Sequence, residues 1–168
     1  HPSYKEVYCC EEWLLFSNFK RFMLNNYGED STLCSRKKQL DKDLLFKGNK
    51  IYSPETCVFV IGKLNTFILE GTSKGHKYLT GASRHIKDAA KGEGAPFIGR
   101  CSNPFDKSKS GGKKEFCKVF DTEIEAHNYW RECKHSLAQR YIALPCTPEK
   151  LKPMLESKWS ILKEDGVY

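Results

Sequence analysis

Asp41, Lys42, Asp43 and Asn49 fall within one short polar segment of the stretch Gln39–Val60. Apolar runs flank it, Leu44–Phe46 before the Gly48-Asn49 pair and Cys57–Ile61 after it. Two chemistries are open to such a segment. Asp41 and Asp43 could be solvated charges at a strand end, with Gly48-Asn49 an ordinary turn, since Gly and Asn tolerate positive φ. Alternatively, two short strands could hold a carboxylate and an amide together, as a hydrolase needs for a metal ion that polarises a phosphate. Spacing by itself favours the first.

The elements around this segment read as one small unit. Trp13, Phe16, Phe19, Phe22 and Met23 recur at helical spacing, so a helix over Glu12–Asn25 is expected with these residues in the core. Gly28 would cap its end. Glu29–Lys38 reads as an exposed loop, Gln39–Val60 as strand, turn and strand, Ser53-Pro54-Glu55 as a turn, and Lys63–Leu69 as a short helix carrying Asn65.

Gly71–Gly75 is the linker candidate. Beyond it, three strand-like runs, Tyr78–Ile86, Ala95–Asn103 and Lys114–Phe120, are joined by Gly-, Ser- and Lys-rich loops that suit antiparallel hairpins. Alternation sets Phe97, Gly99 and Cys101 against Ile98, Arg100 and Ser102. One face is expected to pack on a helix while the other carries Arg84, Arg100 and Lys118 outward. Thr122 and Glu125 form a capping box, followed by Ala126, Trp130, Cys133, Leu137 and Tyr141 at helical spacing, with His127 and His135 off that stripe and exposed. Pro145 ends the helix, and Thr147-Pro148 starts another in which Leu151, Met154, Leu155 and Leu162 pack back. The expected organisation is therefore 1–70 as the first unit, 71–75 as linker, 76–146 as the second unit and 147–168 as a C-terminal helix.

Composition bounds the function. The 168 residues, 39% of them hydrophobic, suffice for two small cores. A mean hydropathy of -0.59 argues against a membrane protein, and no apolar run approaches the ~20 residues of a spanning helix. The chain opens His1-Pro2-Ser3-Tyr4, without the pattern of a signal peptide and without Met, so a trimmed piece is expected. The eight cysteines include no Cys-x-x-Cys pair, which makes structural zinc unlikely; they are expected to be mostly reduced and buried. The formal charge is +7, and residues 71–118 carry eleven Lys and Arg against four acids, an excess equal to that of the whole chain. Such a segment points to a polyanion, most simply nucleic acid. A third possibility is single-stranded RNA stacked on Phe97, Phe116 and Tyr78.

Strand, strand, strand and capped helix, with Gly81, then Phe97-Ile98-Gly99-Arg100, then Lys118-Val119-Phe120-Asp121-Thr122-Glu123-Ile124-Glu125-Ala126, resembles the plant ethylene-response-factor (AP-two) DNA-binding domain over about Lys77–Ala143. Lys118 replaces the Gly of the family segment. Upstream, Cys10-Glu11-Glu12-Trp13, Phe16-x-x-Phe19, Gln39-Leu40-Asp41-Lys42-Asp43, Gly48-Asn49-Lys50 and Tyr52-Ser53-Pro54-Glu55-Thr56-Cys57 resemble bacteriophage HNH-type homing-endonuclease relatives that carry such a domain C-terminally. The resemblance implies an α+β chain: a small ββα-metal (HNH-like) unit, then a three-stranded antiparallel sheet packed on a helix. It implies Asp41 as a metal-binding carboxylate for Mg or Mn, with Asp43, Asn49 or Asn65 completing the shell. Lys42 stands where the family has its general-base His, and Thr56 roughly where it has an Asn. A Lys protonated at neutral pH is a poor base; it could instead neutralise the scissile phosphate, or the unit could be purely DNA-binding. Double-stranded DNA is the implied partner, through Arg84, His85, Lys87, Arg100, Lys113, Lys114 and Lys118, with no membrane and no small-molecule substrate. The implied location is the cytoplasm of a phage-infected bacterium.

Overall fold

The computed structural model describes residues 6–27, 38–69, 77–85, 96–107 and 113–160. The chain has mixed α+β architecture and divides into two units, His1–Glu70 with Ile142–Met154, and Gly71–Tyr141 with Leu155–Tyr168. Gly28, the loop before Lys38, the 71–75 linker, Ile86, Lys87 and Leu162 lie outside the described residues.

In the first unit, β1 (Tyr8–Cys9) lies parallel to β3 (Ile51–Tyr52), and β2 (Lys38–Asp41) pairs antiparallel with β4 (Val58–Ile61). The helix α3 (Gly62–Ile68) follows β4 without a break. All of β4 is buried, and Leu64, Phe67 and Ile68 of α3 continue its core. The single N-terminal helix expected over Glu12–Asn25 is instead two, α1 (Glu11–Leu14) and α2 (Phe16–Asn26), with Leu15 extended between them. The cause is local: the Asn18 side-chain amide donates to the Glu12 carbonyl at 2.9 Å, giving that carbonyl a partner outside the helical ladder. The break splits the apolar stripe. Trp13 is buried and its ring meets Phe19 and Phe22, whereas Phe16, expected in the core, is 72% exposed.

In the second unit, β5 (Ala82–Arg84), β6 (Phe97–Lys107) and β7 (Lys113–Phe120) form an antiparallel sheet in the order β5-β6-β7. The β6–β7 register shifts between Asn103 and Lys107. There Pro104 has no N–H for the ladder, and the buried Asn103 holds the irregularity, accepting from Phe105 N at 3.0 Å and donating to Asp106 at 2.7 Å. The expected capping box opens α4 (Glu123–Ile142): Glu125 N donates to the Thr122 hydroxyl at 3.2 Å, and Thr122 N donates to the Glu125 carboxylate at 3.1 Å.

The helix α4 buries Ala126, Trp130, Leu137, Ala138 and Tyr141. It lies so close to the sheet that a Cβ on Gly99 would stand 2.6 Å from the Ala126 carbonyl oxygen. The imidazoles expected to be exposed are half-buried instead. His127 stacks on Trp130 with ring centroids 5.6 Å apart, and its Nδ1 donates to the Thr80 carbonyl at 2.8 Å.

The described cysteines are mostly reduced, as expected, but mostly not buried. Cys146 is disulfide-bonded, a pairing that spacing alone could not reveal. Cys9, Cys10, Cys57, Cys101, Cys117 and Cys133 are free, and of these only Cys57 and Cys101 are buried.

Gly81 sets the tightest constraint on this unit. Its φ is +80°, and an added Cβ would stand 2.1 Å from Cγ of Trp130. Gly81→Ala is therefore expected to destabilise the chain by about 3 kcal/mol, combining backbone strain with overpacking. Urea denaturation measures this, and an unchanged midpoint would contradict so close an approach.

Candidate functional site

The polar segment after β2 is closed by its own side chains. Asp41 Oδ1 accepts from Asp43 N at 2.8 Å and from Leu44 N at 3.0 Å, which turns the chain sharply at the end of the strand. The turn sends Lys42 inward, where it is 8% exposed. Its ammonium donates to the Asp43 carboxylate and, at 2.9 Å, to the Asn49 carbonyl. The Tyr52 ring centroid lies 5.9 Å from the Lys42 nitrogen.

Asn49 answers in the other direction. Its amide donates to the Lys42 carbonyl at 2.9 Å and to the Ile51 carbonyl at 2.7 Å, and its Oδ1 accepts from Ile51 N at 3.2 Å. Gly48, with φ +81°, supplies the left-handed residue that this return requires. Asp41, Lys42, Asp43 and Asn49 thus form one connected cluster.

Asn65 is held elsewhere. It donates to the Gln39 side chain at 3.0 Å from α3, and its buried Oδ1 has no hydrogen-bond partner among the described residues. Thr56, in the position where the resemblance places an Asn, donates to the Ile51 carbonyl at 2.8 Å and lies 3.1 Å from the Ser53 hydroxyl.

Electrostatics fix the state of Lys42. Burial is the largest influence and disfavours the charged form. The hydrogen bond and charge of Asp43, with Tyr52 and Asp41 adding, outweigh it, so the pKa lies above its ordinary value. Lys42 is a cation at neutral pH and cannot act as a general base.

The geometry also bears on a divalent ion, which needs several oxygens converging on one point with lone pairs directed at it. Here the Asp43 carboxylate and the Asn49 carbonyl converge on an ammonium, and Asp41 Oδ1 on two amides. A dication at that point would meet the Lys42 charge directly. Among the described residues, no group of three or more His, Cys, Asp or Glu is arranged to hold a metal ion. These residues do not fit the expected Mg or Mn site.

In the second unit, the register sorts the basic residues. Cross-strand partners share a face. Arg84 stands opposite Phe97, which in turn opposes Phe120, and Lys118 stands opposite Gly99. These belong to the face turned to α4, where the Arg84 guanidinium lies 4.0 Å from the Phe97 ring centroid and Lys118 lies 5.4 Å from that of Phe120. Arg100, opposite Cys117, lies on the other face and is exposed. Arg84, Arg100 and Lys118 therefore do not share the outward face, contrary to expectation; pairing carries the strand β6 alternation into both neighbours.

His85 is half-buried at the end of β5, its backbone N donating to the Pro96 carbonyl at 2.9 Å. Lys113 and Lys114 belong to β7 by backbone, but their side chains, like Lys87, lie outside the described residues. Phe97, a stacking candidate for RNA, is buried, and the Tyr78 ring packs edge-on against it at 5.6 Å.

Sequence reasoning missed the Tyr52 ring beside the Lys42 ammonium and the part Asn49 plays as a clamp. An Asn directly after a Gly at a turn was the available signal for the second. Comparison with protein-family models, with curated proteins and with solved structures finds no match for this chain. Among the described residues, no helix is long and apolar enough to cross a membrane.

Asn49→Ala is expected to destabilise the chain by about 2 kcal/mol, since it removes the partner of three backbone groups. Asn65→Ala, which removes a single side-chain pairing, should cost less than about 1 kcal/mol. Equal effects in thermal denaturation would contradict the clamp.

Proposed function

We propose that this chain binds double-stranded DNA, with the sheet of the second unit as the docking surface and Arg100 as the side chain that reaches base edges. One observation carries the reading: Arg100 is exposed on the central strand β6, on the face away from α4, in the segment that holds the chain's whole positive excess. A B-form major groove is wide enough to admit a β-ribbon, and an Arg fork suits the O6 and N7 acceptors of guanine. Arg84 and Lys118 lie on the face turned to α4, but on the edge strands β5 and β7, and their proposed role is to reach phosphates around the sheet edges, contacts that carry no sequence information. The buried Phe97 removes one platform from the RNA-stacking alternative.

The finer assignment belongs to the same proposal. The three strands followed by a capped α4 support an AP-two-like reading of the second unit, and the pairing of β2 with β4 followed by α3 supports a ββα reading of the first. The paired Lys42 favours the form in which the first unit is a relative of HNH nucleases that does not cleave.

Arg100→Ala is expected to weaken binding to a selected duplex by about 1–3 kcal/mol and to relax sequence preference at one position. A gel-shift titration reads both, and unchanged affinity and preference would show that the docking face is wrong. Plasmid incubated with the protein and Mg or Mn should stay supercoiled. Nicking by the wild type that Asp41→Ala abolishes would overturn the non-cleaving form and leave DNA binding standing.

A further inference from the structure

A lysine with 8% exposure is unusual, because ammonium groups are almost never fully buried unless paired. Lys42 meets that condition within one loop. Its ammonium bonds to the Asp43 carboxylate and to the Asn49 carbonyl, with the Tyr52 ring on a further side at 5.9 Å. The bond returned from the Asn49 amide to the Lys42 carbonyl ties the two residues in both directions. Ile51 and Tyr52, the next residues along, are β3, which pairs with Tyr8 and Cys9. The cation therefore closes the loop that delivers β3 to its partner strand.

We propose that the Lys42 ammonium is the resident cation of the first unit, a tethered charge standing between Asp43 and Asn49 where a divalent ion would have to stand. A metal loop gathers oxygens around an ion drawn from solution; this loop gathers them around its own side chain. The unit then needs no divalent ion to fold, and the point between Asp43 and Asn49 is already taken by the ammonium. This inference is independent of the DNA-binding reading, since it concerns only the loop Asp41–Ile51.

The test uses the full chain, freed of bound ions by chelation. Calorimetric titration with Mg and with Mn is expected to show no saturable binding up to millimolar ion, and the melting temperature should be the same in EDTA and in millimolar Mn. Lys42→Met, which keeps the length and removes the charge, should melt roughly 5–10 °C lower. Saturable Mn binding by the wild type that Asp43→Asn abolishes would overturn the proposal, as would a Lys42→Met chain that melts with the wild type. If Lys42→Met does not fold, the wild-type titration decides by itself. Gel shift on duplex DNA is read separately, so failure of one reading does not imply failure of the other.

Discussion

The contact on which the second unit depends is the approach of β6 to α4 at Gly99. An added Cβ there would stand 2.6 Å from the Ala126 carbonyl oxygen and 2.9 Å from the Tyr129 ring, so only hydrogen fits. Gly81 brings a second stretch of backbone against Trp130 in the same way. Once these glycines fix which face meets the helix, the period of two does the rest. Phe97, Cys101 and Asn103 turn inward with Gly99, and Arg100 and Ser102 turn out, although Ile98, on the face of Arg100, is buried as well. The capping box starts α4 just after β7, and Leu79 N donates to the Glu123 carboxylate, tying the approach to the sheet to the first turn of the helix. Arg100 is thus aimed outward by a steric fact on the opposite side of its strand.

The two units handle charge differently. In the first, Lys42 is turned into its own loop, bonded to Asp43 and Asn49. A general base needs an unshared pair of electrons, which the protonated, Asp43-paired Lys42 does not have. In the second, the positive excess is not balanced by acids of the same segment, and such a field is what draws a polyanion. A cation paired within its own loop in one unit and an unbalanced positive segment in the other are opposite arrangements of charge.

Much of the fold was legible because it rests on local chemistry. The capping box at Thr122 and Glu125 needs only two side chains three residues apart, and the α4 stripe of Ala126, Trp130, Leu137 and Tyr141 needs only the helical period. The short helix after β4 and the mixed α+β class were likewise readable. What failed depended on partners distant in sequence or on competition for a single hydrogen bond. The break at Leu15 arises because Asn18 takes the Glu12 carbonyl, which no periodicity registers. The faces of Arg84 and Lys118 depend on cross-strand register, which alternation within one strand does not supply. At the Asp41 cluster the sequence showed which residues gather, but not that Lys42 would turn inward and pair with Asp43.

On the proposed function, the basic sheet unit engages duplex DNA through phosphate charge, with base contacts added by Arg100. The most direct measurement is the affinity of the full chain for duplex DNA, single-stranded DNA and single-stranded RNA as a function of salt. The duplex should be preferred, and log K should fall linearly with log salt, with a slope of roughly −0.9 for each phosphate neutralised. A preference for single strands, or a duplex affinity that does not change with salt, would contradict it.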